Sequence, residues 1–230
     1  MSEIIEGIVE ALRLLISFDP EVWGIMLLSV RVSATSTLIA LSIALPISSF
    51  LALRDFKGKS FLSNLINTFM GFPPVVMGLI VYLLLSNSGP LGSLNLLYTP
   101  SAMIIAQLFL AIPIIIGTTK AALESVNNNL KETILSLGAN ERQLWKEMIK
   151  EAKKSIIAGV LVAFGQAISE VGAVMIVGGN IRWNTRTFTT SIVLQTRMGE
   201  FGQAIALGTI LLLITFILNY ALTRLQVKNN

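Results

Sequence analysis

The 230-residue sequence contains no cysteine and no histidine, which excludes thiolate catalysis, disulfides, imidazole bases and the usual zinc sites. Aspartate occurs only at Asp19 and Asp55, so a paired-aspartate or phosphoryl-accepting site is excluded too. A phosphate-binding P-loop is also absent, because Gly58 and Lys59 are preceded by Leu53 where that pattern requires its first glycine. We therefore expect no catalytic site, no metal site and no ATP bound by this chain.

Charged residues are scarce, at 13% against 53% hydrophobic residues, and the mean hydropathy is +0.75. This composition is typical of a polytopic membrane protein, and a net charge of only +4 does not suggest a nucleic-acid partner. Five segments are long and apolar enough to cross a bilayer. They lie near residues 22–53, 61–85, 101–119, 155–177 and 203–222. The prediction is an all-α membrane protein with about five transmembrane helices in a single domain, 1–230.

The basic residues predict the orientation of these segments. Twelve of the 17 Lys and Arg residues fall after segment one, between segments three and four, or at the C-terminus. Lys and Arg in short loops favour the cytoplasm, so an odd number of spans places the N-terminus outside and the C-terminus inside. We thus expect a multi-pass protein of the plasma membrane.

An amphipathic helix is predicted ahead of the first span, over residues 3–17. Apolar residues recur there at helical spacing between Glu3, Glu6, Glu10 and Arg13. Such a helix lies on the outer membrane surface or against the bundle. Asp19 and Pro20 then form a start signal for the next helix.

The cytoplasmic loop 127–154 is too periodic to be disordered. Two short runs with helical spacing are separated by Gly138, and Asn140 with Gln143 matches a capping box at the start of the second run. Periodicity alone also allows an interfacial hairpin on the lipid headgroups.

The spacing in this loop resembles the coupling motif of ABC-transporter permeases, with Glu132, then Gly138, then Met148 ten residues later. Here Thr133 and Ile134 replace the alanines of that motif, and Lys150 stands near the place of its proline. The resemblance implies that two short helices dock on an ATPase subunit. The residues it assigns to this coupling are Glu132, Leu137, Gly138, Ala139, Leu144 and Met148.

Two further stretches resemble the permeases that import molybdate, tungstate and sulfate. They are Phe72-Pro73-Pro74-Val75-Val76-Met77-Gly78-Leu79 in segment two and residues 163–173 in segment four. The continuation through 174–180 and 185–201 is most similar to tungstate-type permeases. The implied fold is that of a type I ABC importer permease, and the implied function is oxyanion import, with tungstate first and molybdate or sulfate as alternatives.

The resemblance also implies partners. They are a second copy of the chain, two cytoplasmic ATPase subunits that bind ATP and Mg, an external solute-binding protein and the lipid bilayer. A stand-alone channel or a membrane scaffold is the alternative class. It explains the spans and the basic loop, but it leaves the spacing from Glu132 to Met148 unexplained.

Charges and prolines inside the spans are candidate pathway or gate residues. Arg31 lies about 13 Å and Glu170 about 10 Å from the outer ends of their segments, so we expect the two to pair, with Gln107 at a similar level. A packing ion pair without a transport role is the alternative. Pro73 and Pro74 are candidates to bend a helix that lines the path, although such prolines also aid packing.

The outward loop 178–201 carries arginines against the positive-inside tendency. We expect Gly178, Gly179 and Asn180 to make a tight turn near the pore mouth. Arg182 and Arg186 would then attract a dianion or meet acidic residues of the binding protein. Headgroup contacts or pairing with Glu200 are the alternatives.

Overall fold

The computed structural model describes residues 2–126 and 128–228, and all regular structure within these ranges is helical. The first six helices are α1 (Ser2–Ile16), α2 (Pro20–Leu53), α3 (Lys59–Met70), α4 (Pro74–Leu85), α5 (Pro100–Glu124) and α6 (Asn128–Ser136). They are followed by α7 (Glu141–Glu151), α8 (Lys153–Ile168), α9 (Gly172–Gly178), α10 (Phe188–Met198) and α11 (Phe201–Lys228). A short 3-10 turn, Gly92–Leu94, lies between α4 and α5. The predicted all-α membrane fold is confirmed.

Within the part of the chain that the structure describes, three helices are long and apolar enough to cross a membrane by themselves: α2, α5 and α11. The predicted segments 61–85 and 155–177 are each broken in two. Helices α3 and α4 meet at an angle of 97°, and α8 and α9 at 55°. The number of spans is therefore three, or up to five if each bent pair makes one span. The five predicted segments correspond to the three continuous helices and the two bent pairs.

The break between α3 and α4 follows from the paired prolines. Pro73 has extended backbone angles (φ −61°, ψ 119°) and Pro74 is the first residue of α4. The residue before a proline is pushed out of the helical region, and a proline at the first helical position lacks an N–H that would be unpaired there anyway. The prolines Pro46 and Pro113, in contrast, lie inside the continuous helices α2 and α5.

The chain divides into two compact units. Unit 1 comprises the described residues of Met1–Ser36, Pro73–Gln107 and Gly165–Asn230, and unit 2 comprises those of Thr37–Phe72 and Leu108–Phe164. One core of unit 1 is formed by Ala11, Val22, Ile25, Phe188, Ala206, Leu207 and Ile210. One core of unit 2 is formed by Ala40, Ala44, Leu51, Ile66, Ala111, Ile114, Ile115, Ile116 and Ala163. The single-domain interpretation of the sequence stays a prediction.

The predicted N-terminal helix is confirmed as α1, and it packs on α11 in unit 1. Small residues face α11: Ala11 is fully buried, and a Cβ at Gly7 would lie 2.6 Å from Cγ2 of Ile205. A second face is apolar and exposed, and a third carries the charges. The exposed apolar residues are Ile4, Ile5, Ile8, Val9, Leu12 and Ile16. Helix α1 therefore combines a packing face, a lipid-compatible face and a polar face.

Helix α10 lies within the segment that the sequence analysis treats as a loop. It begins with a capping box, in which the Thr187 side chain accepts the Thr190 N–H and the Thr190 side chain accepts the Thr187 N–H. It ends at Gly199, whose φ of 81° gives the left-handed cap that glycine favours. Both signals are present in the sequence, but the stretch is short and mostly polar, so no helix was predicted there.

Candidate functional site: the coupling hairpin and the broken spans

Helices α6 and α7 of unit 2 form the hairpin predicted at 127–154. Gly138 joins them with a φ of 82°, a left-handed conformation that strongly favours glycine. The predicted capping box at the start of α7 is confirmed: Asn140 Oδ1 accepts the Gln143 N–H at 2.9 Å, and Gln143 Oε1 accepts the Asn140 N–H at 2.8 Å. The turn and the direction of α7 are thus set by local sequence. The first residue of the predicted loop, Asn127, lies outside the described residues.

Leu144 and Met148 fix this hairpin to its own unit. They are 6% and 3% exposed and pack among buried apolar residues. The buried members of this cluster are Ala122, Leu123, Leu144, Met148, Ala152 and Ile156. Both side chains are buried within unit 2, and their assignment to ATPase coupling stays a prediction. Their apolar spacing anchors α7.

Other residues of the predicted coupling set are accessible. Leu137 is 81% exposed, which is unusual for a leucine beside a fixed turn, while Glu132 is exposed and Ala139 is half-buried. An open recess of about 550 Å³ on α7 is lined by Asn140, Arg142, Gln143, Lys146 and Ile149. The hairpin thus presents an apolar tip next to a basic recess, which suits a protein partner.

A side-chain pair within unit 2 braces the start of α7. The guanidinium of Arg54 hydrogen-bonds to the carboxylate of Glu141 and also lies over the ring of Phe50, 5.6 Å from its centroid. Arg54 directly follows α2, so it ties the end of that helix to the hairpin. No sequence pattern predicts this pair, because the two residues are 87 positions apart.

Replacing Asn140 by alanine should destabilise the first turn of α7 by about 1 kcal/mol, since one backbone N–H loses its acceptor. Hydrogen exchange of the α7 amides in the purified complex measures this as faster exchange confined to the hairpin. Ser136→Ala is the control, because its hydroxyl bonds only to the Thr133 carbonyl within α6. Equal protection of α7 in both variants would contradict the capping assignment.

The second halves of the two broken spans, α4 and α9, pack tightly on each other in unit 1. A Cβ added at Gly78 would lie 2.6 Å from Cα of Ala173, and one at Gly172 would lie 2.6 Å from Cγ2 of Val75. Distances of that size are well inside van der Waals contact. These glycines therefore permit the close approach of two backbones, as in helix pairs inside membranes.

Glu170 lies in the break between α8 and α9, where it is 9% exposed. Its Oε1 accepts the backbone N–H of Ala173 at 3.0 Å, and its carbonyl accepts the hydroxyl of Thr189 at 2.8 Å. Gln107 is also buried: its Nε2 donates to the carbonyl of Ala167 at 2.8 Å, and its Oε1 accepts the hydroxyl of Ser36 at 3.0 Å. Gln107 and Glu170 thus hold the two sides of the same break.

The predicted pairing of Arg31 with Glu170 was wrong. Arg31 is exposed on α2, and within residues 2–126 and 128–228 it forms no ion pair with Glu170. Depth along a helix does not determine which face a residue occupies, and the buried face of α2 here carries Ser29 and Ser33. The carboxylate of Glu170 finds its partner three residues ahead instead. Pro73, also a predicted pathway residue, is exposed at the other break.

The predicted tight turn after α9 is present. Gly179 and Asn180 both have left-handed backbone angles, with φ of 71° and 51°. Gly178 is buried, and a Cβ there would lie 3.0 Å from Cγ of Met103. Thr185 closes the turn by donating its hydroxyl to the Gly178 carbonyl at 2.5 Å and accepting the Ile181 N–H at 2.9 Å.

Arg182 and Arg186 are both paired with Glu21, not with Glu200 as the sequence analysis considered. Arg182 donates from Nε and Nη2 to the two carboxylate oxygens of Glu21 at 3.0 and 2.5 Å, and Arg186 Nη1 donates to Oε1 at 3.1 Å. The hydrogen bonds that Arg182 donates to the Glu21 carboxylate raise the pKa of its guanidinium. Attraction of a dianion by these arginines stays a prediction, but Glu21 reduces their summed charge to that of one cation.

Glu21→Gln should lower the unfolding free energy by about 1 to 2 kcal/mol, because two arginines lose a shared, partly exposed carboxylate. Thermal unfolding of the purified chain measures the loss, which should shrink as salt screens the wild-type pair. Glu200→Gln removes a carboxylate with no ion pair among the described residues and serves as the control. Equal effects of the two variants would exclude a stabilising role for the Glu21 cluster.

Broken membrane helices and a helical hairpin with an exposed tip are features of a membrane permease subunit. Residues 44–228 match the model of the family described as binding-protein-dependent transport system inner membrane component, and the chain belongs to that family.

Comparison with curated proteins and solved structures agrees with this membership. The chain is 43% identical to the tungstate uptake system permease protein of Peptoclostridium acidaminophilum, over 98% of this chain and 99% of that protein. It is 39% identical to the corresponding Campylobacter jejuni protein, over 97% and 93%. The molybdenum transport system permease of Escherichia coli is 28% identical over 86% of this chain and 93% of that protein.

The inward-facing MetNI methionine ABC transporter has a similar fold, with a TM-score of 0.77 at 15% identity, covering 92% of this chain and 99% of that one. The fold is that of type I ABC importer permeases, and the chain is a multi-pass inner membrane protein.

Proposed function

We propose that this chain is the permease subunit of an ABC importer for tungstate. The observation that carries the proposal is its 43% identity, over nearly the whole of both chains, to a tungstate uptake permease. Identity to the molybdenum permease is much lower, at 28%. Tungstate and molybdate have the same charge and nearly the same size, so an external binding protein is the place where the two would be distinguished.

The working assembly would be two copies of this chain, two ATPase subunits and one external solute-binding protein. Each copy contributes at most five spans, too few to enclose an alternating path alone. ATP and Mg would be bound by the ATPase subunits, because this chain carries no phosphate-binding loop. The exposed tip at Leu137 and the basic recess on α7 are the surfaces on which we place the ATPase.

We infer the orientation from the basic loops. The hairpin and the C-terminus would lie in the cytoplasm, and the N-terminus with α1 outside. Arg182 and Arg186 would then lie on the outer side, where Glu21 neutralises part of their charge. This lowers the free-energy cost of having arginines on the outer side, where the positive-inside tendency disfavours them.

In the proposed cycle, ATP binding draws the two ATPases together, and the hairpins follow because Leu144 and Met148 anchor them in unit 2. The broken spans are the elements that we expect to rearrange, because their breaks carry fewer backbone hydrogen bonds than a continuous helix. Gln107 and Glu170 would hold one break as positioning residues. A carboxylate repels an oxyanion, so Glu170 would not contact the substrate.

Molybdate or sulfate import is the second candidate, supported by the lower identity to the molybdenum permease. The test is uptake into proteoliposomes that contain the permease, its ATPase and its binding protein, with each oxyanion competing against labelled tungstate. We expect unlabelled tungstate to compete at least tenfold better than molybdate or sulfate, a difference of about 1.4 kcal/mol. Stronger competition by molybdate or sulfate would assign the importer to that anion.

A further inference from the structure

A cavity of about 210 Å³ lies in unit 1, among α1, the start of α2, α10 and α11. Its volume is several times the roughly 30 Å³ that one water occupies in the liquid. Every charged residue in its lining is a carboxylate: Glu10, Asp19 and Glu21. The arginines that pair with Glu10 and Glu21 do not belong to the lining. The cavity is therefore lined by carboxylate acceptors, of which Asp19 also accepts the Val22 N–H.

Two neutral polar side chains in the same lining can accept hydrogen bonds. One is Ser191, which is only 2% exposed. The other is Gln195, whose Oε1 is buried and has no donor within residues 2–126 and 128–228. Burying polar groups without partners costs free energy, so a native structure that keeps them usually supplies a ligand or water. A ligand with several N–H donors fits both these groups and the carboxylates.

We infer that this cavity receives a lysine or arginine side chain of the external solute-binding protein. The ammonium or guanidinium group would lie among Glu10, Asp19 and Gln195. The apolar stem would pack on Leu14 and Leu207, which also line the cavity. The inference rests on the proposed function, because it requires a binding protein that docks on the outer side.

A neighbouring exposed tryptophan favours a protein partner. Trp183 is 64% exposed, and its φ of 66° is a strained value for an aromatic residue. The guanidinium of Arg182 lies over its ring, 5.5 Å from the centroid. Glu21 lines both the acidic cavity and a smaller one, of about 90 Å³, that Trp183 borders. Trp and Arg are among the residue types that dominate the binding energy of protein interfaces.

The experiment measures binding of the oxyanion-loaded solute-binding protein from the same importer to the permease–ATPase complex in nanodiscs. The variants are Glu10→Gln and Gln195→Leu, and the matched control is Glu6→Gln, an exposed carboxylate on the same helix outside the cavity. We expect Glu10→Gln to raise Kd about tenfold at low salt and much less at high salt. Gln195→Leu should raise Kd about threefold at either salt concentration. Glu6→Gln should leave Kd unchanged.

The outcomes separate this inference from the proposed function. If the wild-type complex does not bind the binding protein at all, the proposed function fails. If it binds, and both cavity variants bind as tightly as Glu6→Gln does, only the cavity assignment fails.

Thermal unfolding in nanodiscs with and without phosphatidylethanolamine tests a lipid amine as the occupant. The inference would be overturned if that lipid stabilises the wild type, if Gln195→Leu removes this stabilisation, and if the same variant leaves Kd for the binding protein unchanged. Only complexes that retain the wild-type yield of ATPase enter the comparison.

Discussion

A permease carrying Leu137→Asp should lose its ATPase subunit during purification. Leu137 is 81% exposed at the tip of the hairpin, so the substitution does not disturb the core of unit 2. In the assembled importer the same position would be covered by the partner, and an aspartate buried there without a counter-charge costs several kcal/mol. We expect the affinity for the ATPase to fall at least about a hundredfold, which corresponds to 2.8 kcal/mol.

The measurement is the yield of ATPase that co-purifies with tagged permease from membranes. Leu94→Asp is the matched control, because Leu94 is another exposed leucine, 55% exposed, and belongs to unit 1. It should retain the ATPase while Leu137→Asp does not. If the ATPase co-purifies with Leu137→Asp at the wild-type yield, the hairpin tip is not part of the coupling interface.

Gly78→Val should destabilise the permease by at least about 3 kcal/mol and abolish uptake. A Cβ at this position would approach Cα of Ala173 to 2.6 Å, and the obstacle is backbone, which cannot rotate away. Valine adds two further methyl groups to that clash. The two broken spans would have to separate, so we expect lower thermal stability together with loss of transport.

Gly165→Val provides the comparison for this prediction, because a Cβ there meets nothing within 4 Å. Both variants place a β-branched residue in a membrane helix, so any difference between them comes from the contact with Ala173. Thermal unfolding in detergent should show a large loss for Gly78→Val and a small one for Gly165→Val. Equal stabilities would mean that α4 and α9 do not pack as closely as described.

The parts of the fold that local sequence determines could be predicted. The Asn140 capping box, the Gly138 turn and the start of α2 at Asp19 each depend on residues within a few positions of one another. The family resemblance likewise rested on local motifs around Pro73 and Glu170. In these cases the chemistry of neighbouring residues leaves few alternatives.

Long-range pairs could not be predicted. Glu21 binds Arg182 and Arg186 from more than 160 residues away, and no periodicity in the sequence connects them. Arg31 and Glu170 lie at similar depth in the predicted bilayer, yet the two side chains do not pair. Only the packing of helices decides which faces meet. The packing of Leu144 inside unit 2 could not be predicted for the same reason, since an apolar face can anchor a hairpin or dock a partner.

The most direct test of the account is binding-protein-dependent, ATP-driven accumulation of labelled tungstate in proteoliposomes that contain this permease and its ATPase. We predict that tungstate accumulates against a gradient, and that this accumulation requires both ATP and the binding protein. An excess of unlabelled sulfate should not suppress it. Tungstate flux that persists without ATP, or without the binding protein, would contradict the assignment and favour a channel.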